Sequence, residues 1–472
     1  MNSVSTIPAS QPGFRTAQWR ILLATMFCYL FFYTGRQTFG FAIPGMQEDL
    51  GLSKAQLGLA SAVLLWSYAL GQAVNGNLGD KFGGRRMMSA GAIASCGLNW
   101  VVSFGTNLWS LMVPWGANGL AQSMGWAPGS RVLSNWWGHH ERGKVYGFYV
   151  FAAGMSSVLS FVTSLLIIQT FAMDWRWIFR LPVLLLLVGG VTYFLVSRDR
   201  PEDLGYEGLA DEGAGEDDDA GVEGTDFERS VCARCGYSVL PDYKDGCPEC
   251  GVDLSMSGAV VAPDAFEDTS FKRYMHVLKN WRFLIASLAI GFQSIARYGL
   301  LIWVPVHFLG ATWKKDPGGQ WISLALAVGM AAGALSSGYI SDKLFHARRW
   351  PLICLFMTLA AVASLSMFLI PHGGSYRWLA VGMLFLCGFF VYGPQSAFWA
   401  LCPDLLGHRR AGTGTGVMNT FAYVFAGIGE PIIGHVLESY QTAEGDDFTK
   451  LIFPIVAGAC LVSAAISLFI RR

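Results

Sequence analysis

Apolar stretches of about 20 residues, the length a helix needs to cross the hydrocarbon core of a bilayer, recur along nearly the whole chain between short polar turns. Twelve such spans are predicted, at about 20–42, 55–78, 87–106, 108–136, 144–169, 176–196, 283–309, 320–341, 351–370, 376–402, 412–437 and 449–469. A backbone in hydrocarbon must satisfy its own hydrogen bonds, so the pattern predicts an all-α membrane protein. Residues 201–280 interrupt it and divide the chain into an N-terminal six-helix bundle over 1–200 and a C-terminal one over 281–472. The first seventeen or so residues are polar without a cleavable signal pattern, so the first span is expected to stay as an anchor.

Composition agrees with the pattern. Of 472 residues, 53% are hydrophobic and only 14% charged, with mean hydropathy +0.40; a soluble chain carries about 25% charged residues. Little chain is left for a soluble catalytic domain, and no nucleotide loop, nucleophile triad or catalytic carboxylate pair is visible, so no enzyme is expected. One set of short loops and ends holds Arg15, Arg20, Lys81, Arg85, Arg86, Arg142, Lys144, Lys343, Arg348, Arg349, Arg409, Arg410, Arg471 and Arg472. The other set holds Lys54, Arg176, Lys314, Lys315, Arg377 and Lys450. The positive-inside rule then puts both termini and the middle loop in the cytoplasm, as expected of a multi-pass protein of the cell inner membrane. The zero net charge hides a segregation, because residues 201–229 carry twelve Asp or Glu against one Arg. The basic loops reflect topology, and no nucleic-acid partner is expected.

The two halves repeat each other. Trp19-Arg20 opens the first span and Trp281-Arg282 the seventh; the next arginines, Arg36 and Arg297, follow 16 and 15 residues on. Both precede a proline by eight residues, Pro44 and Pro305, and Asp80 and Asp342 lie 44 and 45 residues beyond them. Around the aspartates stand Gly76-Asn-Leu-Gly-Asp80-Lys81-Phe-Gly-Gly84-Arg85-Arg86 and Gly338-Tyr-Ile-Ser-Asp342-Lys343. This resembles the signature loop of the major facilitator superfamily and implies that fold. Gly76 and Gly338 permit close helix approach, and an aspartate at a helix end can pair with an arginine such as Arg85 in a cytoplasmic gate. A basic loop tethered to lipid headgroups is the plainer alternative.

Charge inside a span costs about 2.5–3.5 kcal/mol at its centre and so calls for a function. Arg36 and Arg297 occupy matching repeat positions, which predicts two arginines face to face at the midplane, a site for a dianion. Arginine suits phosphate because its planar fork donates paired hydrogen bonds and keeps its charge when dehydrated. The other reading has each arginine neutralised internally, for instance by Glu430 of span eleven, and serving structure. Glu430 itself could tune Arg297, couple a proton or pack. Arg131 and His435 lie nearer span ends.

Tyr33-Thr-Gly-Arg36-Gln-Thr-Phe39, Gly125-Trp126-Ala-Pro128-Gly-Ser-Arg131 running on to Trp136-Trp137 and Glu141-Arg142-Gly143, Arg297-Tyr298-Gly299 with Trp303 and Pro305, and Tyr392-Gly393-Pro394 resemble the organophosphate:phosphate antiporter family. That family includes the glycerol-3-phosphate and hexose-phosphate transporters, and the resemblance covers every span but not the middle loop. It implies that Arg36 and Arg297 bind phosphate. Gln72 and Ala153 stand where the glycerol-3-phosphate transporter has a lysine and a histidine, and Ser294 replaces a tyrosine one turn before the second arginine. The substrate implied is therefore a small organic phosphate or phosphonate, exchanged for inorganic phosphate. Trp126, Tyr68, Tyr149 and Gln395 are candidates to line its pocket.

Six cysteines, Cys28, Cys96, Cys354, Cys387, Cys402 and Cys460, are scattered singly through spans and read as small hydrophobes. The other four form Cys232-Ala-Arg-Cys235-Gly and Cys247-Pro-Glu-Cys250-Gly. Two such knuckles predict tetrahedral zinc on four thiolates, a closed and therefore structural site resembling a zinc ribbon at about 230–253. Disulfides, or iron of the rubredoxin type, are the alternatives. The ribbon, between flexible linkers at about 201–229 and 254–268, is expected to hang in the cytoplasm, where it could meet a protein partner. The chain is expected to act as a monomer by alternating access. Symport of another organic anion with protons, and a sensor that signals through the cytoplasmic loop, are the competing functions.

Overall fold

The first span is two helices rather than one. In a computed structural model, which describes residues 12–137, 139–206, 230–232, 238–239, 260–261, 270–309, 319–345, 349–371, 374–406, 408–440 and 448–470, α1 (Phe14–Phe32) ends in a 3-10 turn, Tyr33–Gly35, and α2 (Phe39–Leu50) resumes after it. The residues between are Thr34, Gly35, Arg36, Gln37 and Thr38, whose hydroxyls and glycine favour leaving a helix over continuing it. The N-terminal half continues with α3 (Lys54–Phe82), α4 (Gly84–Val102), α5 (Leu108–Ser123), α6 (Trp126–Trp136), α7 (His139–Leu165), α8 (Arg176–Arg180) and α9 (Pro182–Val196). In the C-terminal half α10 (Ser270–Lys279) leads into α11 (Trp281–Leu309), followed by α12 (Leu324–Leu344), α13 (Arg349–Leu369), α14 (Arg377–Tyr392), α15 (Gln395–Leu406), α16 (His408–Ser439) and α17 (Ile452–Ser467).

Four expected spans are therefore jointed: the first at 33–38, the fourth at Met124-Gly125, the sixth at Leu181 and the tenth at Gly393-Pro394. Among the described residues seven helical stretches are long and apolar enough, by length and composition, to cross a membrane. Several of the others lose length to such joints or carry more polar residues than a simple span. The third span, α4, begins at Gly84 and ends at Val102, a few residues earlier at each end than its apolar pattern suggested, and Asn107 caps the start of α5 in the fourth. Its Oδ1 accepts from the Ser110 amide at 3.0 Å while the Ser110 hydroxyl accepts from the Asn107 amide at 3.0 Å.

Among the described residues the halves meet mainly along α3 with α16, α7 with α12 and α2 with α11. The first pair is zipped at the end that the charge pattern assigns to the outer side. Gly58 lies so close to the Glu430 carbonyl that a Cβ would sit 2.6 Å from its oxygen, and Gly434 stands at 2.5 Å from the Lys54 carbonyl in the same sense. The Ala55 amide donates to Glu438 Oε2 at 3.2 Å, and Trp66 Nε1 donates to the Val424 carbonyl at 3.3 Å. Outside the zipper, Arg176 pairs with Asp49 at 2.6 Å, and that hydrogen bond holds the Asp49 carboxyl below its ordinary range.

In the middle segment three short strands pair in the order β2-β1-β3, with β1 at Ser230–Cys232, β2 at Ser238–Val239 and β3 at Val260–Val261. Ser230 faces Val239 on one side, and Cys232 faces Val260 on the other. The Cys232 side chain, and Cys235, Cys247 and Cys250 entirely, lie outside the described residues.

If the zipper depends on bare glycine, Gly58→Val wedges it open. A short bifunctional thiol reagent should then cross-link an Ala55→Cys, Glu438→Cys pair quickly in the parent and slowly in the valine variant. Equal rates would show that closure does not need the glycine contact.

Candidate functional site

Arg36 leaves the 3-10 turn with φ −143° and ψ −28°, so its side chain projects from a joint rather than from a regular helix. Arg297 lies within the unbroken α11. Both are almost fully buried, 5% and 6% exposed, which for a cation demands a partner. Among the described residues no carboxylate pairs with either. The countercharge is supplied only partially, by aromatic faces and phenol oxygens. The Arg36 guanidinium lies 4.2 Å from the Tyr33 ring centroid and 4.7 Å from that of Tyr68, and its NH1 donates to the Tyr423 hydroxyl at 3.4 Å. The Arg297 guanidinium lies 4.2 Å from Tyr392 and 5.1 Å from Tyr298. Such contacts are worth about 0.5–2 kcal/mol each, too little to replace a full charge.

The tyrosines join the two arginines into one site. Tyr423 of α16 packs on Tyr68 of α3 at 4.3 Å and on Tyr298 of α11 at 5.6 Å. Tyr33, Tyr298 and Tyr423 lie within electrostatic reach of both guanidiniums. Each arginine keeps a buried Nε with no protein partner, and so do both ends of the Gln37 amide beside Arg36. The site thus presents unused N–H donors from both halves to one small space, the chemistry that an oxyanion satisfies.

Of the residues expected to line the pocket, Tyr68 is in the collar. Gln395 sits behind it: its Oε1 accepts from Gln293 Nε2 at 3.2 Å, and Gln293 also donates to the Val391 carbonyl at 2.9 Å. Trp126 and Tyr149 stack on each other at 4.5 Å, and the Tyr149 hydroxyl donates to the Gly125 carbonyl at 3.2 Å. They brace the joint of the fourth span and pack on Tyr29, whose ring lies 4.8 Å from that of Tyr149 and 5.4 Å from that of Trp126. Arg131 and His435 are exposed. Of the residues that differ from the glycerol-3-phosphate transporter, Gln72 donates to the Ser123 carbonyl at 3.4 Å, Ser294 to Gln293 Oε1 at 3.4 Å, and Ala153 is buried.

Glu430 is fully buried but is not the counter-ion of Arg297. Its Oε2 accepts from Trp303 Nε1 at 2.9 Å, and Oε1 has no protein partner. Its side chain is thus tied to α11 within its own half, while its backbone carbonyl meets Gly58 in the seam between α3 and α16. Of the gate candidates, Asp80 and Asp342 both lie two residues before a helix end, in α3 and α12, as the repeat requires. The side chains of Gly76, Asp80, Gly338 and Asp342 are outside the described residues. Arg85 is drawn into its own half: its amide donates to Asp199 Oδ1 at 2.8 Å and its Nε to the Phe194 carbonyl at 2.7 Å.

Tyr423 was missed by sequence reasoning, because it lies far from both arginine motifs in the chain. Tyr33, Tyr298 and Tyr392 were visible as motif letters, but nothing in spacing alone told ring-to-cation contacts from packing.

A family model described as Major Facilitator Superfamily matches residues 25–430, a range that takes in both arginines and both repeat halves. The chain belongs to the Major Facilitator Superfamily. As a member it is a multi-pass membrane transport protein and not an enzyme. It is similar to the "Probable hexose phosphate transport protein" of Chlamydia muridarum, at 25% identity over 89% of this chain and 85% of that one. It is similar at 24% to the "Glycerol-3-phosphate transporter" of Bacillus subtilis, over 91% and 88%. It matches the "Membrane sensor protein UhpC" of Escherichia coli at 24%, over 90% and 87%. Among solved structures, a bacterial homologue of the human lysosomal transporter Spinster, in an inward-facing and unoccupied conformation, shares the superfamily fold. Its TM-score is 0.68 at 13% identity, covering 98% of this chain and 96% of that one.

The collar makes a stability prediction. Tyr423→Phe keeps the ring contacts and loses a hydrogen bond, a cost of about 1 kcal/mol, whereas Tyr423→Ala opens a cavity and costs about 3 kcal/mol. Thermal unfolding in detergent should rank parent, phenylalanine and alanine in that order. Equal losses for the two variants would assign the role of Tyr423 to its hydroxyl instead.

Proposed function

We propose that this protein is a secondary transporter that exchanges a small organic phosphate for inorganic phosphate across the inner membrane by alternating access. The observation that carries the reading is the pair Arg36 and Arg297, one from each half, buried in one tyrosine collar with no carboxylate partner among the described residues. The names of the relatives, a hexose phosphate transport protein and a glycerol-3-phosphate transporter, support the substrate class. Exchange follows from charge. A closed, low-dielectric centre holding two uncompensated guanidiniums is unfavourable, so the empty carrier crosses slowly and a bound phosphate dianion lowers that barrier.

The twelve helical intervals are read as twelve spans, with both termini cytoplasmic, working as a monomer. Gly76, Asp80, Gly338 and Asp342 are proposed as the cytoplasmic gate opposite the outer zipper, with Arg85 supporting it through α9. The four cysteines of the middle segment are proposed to hold one structural zinc. The sheet supports this, since Cys232-x-x-Cys235 begins at the end of β1 on the way to β2, and Cys247-x-x-Cys250 lies between β2 and β3. Both knuckles thus belong to connections of one small sheet. In reduced cytosol four thiolates would staple a segment too small to fold on apolar burial alone.

A second reading has a specific observation behind it: similarity to a membrane sensor, in a chain with an inserted loop. In that case the same arginine site would register an organic phosphate, and the loop would pass the signal on.

In proteoliposomes loaded with inorganic phosphate, Arg36→Lys and Arg297→Lys should each abolish or greatly weaken exchange while insertion is unchanged, because lysine keeps charge and loses the paired donors. Near-parental exchange by both would overturn the dianion site. Replacing about 205–265 by a Gly/Ser linker should remove zinc from the purified protein and leave exchange intact. Collapse of exchange in a folded, inserted protein would favour the sensor.

A further inference from the structure

The joint of span one is held by every helix around it. The Tyr33 amide donates to Ser156 Oγ of α7 at 3.0 Å, and the Thr34 hydroxyl lies at 2.6 Å from the Phe31 carbonyl and 3.3 Å from that of Pro182 in α9. The Gly35 carbonyl, immediately before Arg36, takes two side-chain amides: Asn118 Nδ2 of α5 at 2.7 Å and Asn99 Nδ2 of α4 at 3.1 Å. A carbonyl can only accept, so both asparagines must turn their NH2 groups toward it. That leaves Asn118 Oδ1 facing Ser95, whose hydroxyl donates to it at 2.6 Å and accepts from Gln122 Nε2 at 2.7 Å. Ser95, Asn99 and Asn118 are fully buried and Gln122 is 2% exposed. A Cβ at residue 35 would meet Gln122 Nε2 at 2.6 Å and Ser95 Oγ at 2.8 Å, so a side chain there would have to push the cluster aside.

Four buried polar residues on two neighbouring helices are costly in a membrane interior, where apolar packing would hold helices together as well. Gln122 and Ser95 pass the chain on to Asn118, and the two asparagine amides converge on the one carbonyl whose orientation sets where Arg36 leaves the backbone. Arg297 needs no such socket, being carried by a continuous helix. We propose that Asn118, with Asn99, is a positioning residue for Arg36: the Ser95–Gln122–Asn118–Asn99 cluster holds the Gly35 carbonyl and so aims the guanidinium into the site.

The inference rests on the reading of Arg36 as a phosphate ligand, so its test has one arm that needs no ligand. Phenylglyoxal labelling of the purified protein, mapped by mass spectrometry, follows Arg36 and Arg297 separately. Asn118→Ala should change the Arg36 labelling rate about tenfold, the equivalent of one lost buried hydrogen bond, and leave the Arg297 rate unchanged. Asn118→Gln, which restores an amide donor, should recover part of the parental rate. In the second arm, Asn118→Ala should weaken inorganic-phosphate binding about tenfold in the parent and add nothing in an Arg36→Lys background. Should Asn118→Ala fail to fold, Ser95→Ala removes the bond that orients the Asn118 amide, together with the one that Ser95 accepts from Gln122, and is expected to shift the Arg36 rate in the same direction. Unchanged Arg36 labelling in the folded variants, or equal changes at both arginines, would overturn the proposal. A selective change at Arg36 in a protein that binds no phosphate would leave the positioning role standing and sink the phosphate reading.

Discussion

Two guanidiniums are buried in this molecule with no carboxylate beside them among the described residues, and under the proposed function the surrounding architecture is the means of tolerating that cost until an anion removes it. Desolvating a cation costs several kcal/mol even after relaxation. The collar of Tyr33, Tyr68, Tyr298, Tyr392 and Tyr423 offsets part of this through ring faces and phenol oxygens. A collar of carboxylates would have settled the charge completely and left nothing for an anion to do. A collar of aliphatic side chains would have left it unbearable. Tyrosine is the intermediate solution, polarisable and neutral, and it explains why Glu430 pairs with Trp303 rather than reaching Arg297.

The halves repeat in sequence, but they do not solve the problem in the same way. Arg297 rides on α11, a single helix of 29 residues, anchored one turn earlier by Gln293 against the Val391 carbonyl. Arg36 stands on a joint, and a joint exposes backbone groups that hydrocarbon cannot satisfy. The four helices around it supply the missing partners through Ser156, Pro182, Asn99 and Asn118. One arginine is placed by the stiffness of its helix and the other by the polarity of its neighbours.

The zipper between α3 and α16 belongs to the same logic. Glycine at 58 and 434 brings two backbones together, and the small contact area of bare glycine can be made and broken without dragging large side chains through the bilayer interior. At that seam the Ala55 amide reaches Glu438 across the halves, so a backbone donor of one half is satisfied by a carboxylate of the other.

The sequence by itself determined the membrane character, the helical intervals, the two-fold repeat and the identity of Arg36 and Arg297, because bilayer thickness and the cost of intramembrane charge act on local composition and spacing. The joints at 33–38 and 393–394 were foreshadowed by Thr-Gly and Gly-Pro, yet a hydropathy window averages over such short interruptions. Only the tertiary structure decided that Tyr423, 126 residues beyond Arg297 in the chain, joins Tyr33 and Tyr298 as a phenol within reach of both arginines. It also gave Trp126 and Tyr149 to a helix joint instead of the collar, and Glu430 to Trp303. Those assignments depend on which helices lie side by side, and a helix carries its long-range neighbours nowhere in its own periodicity.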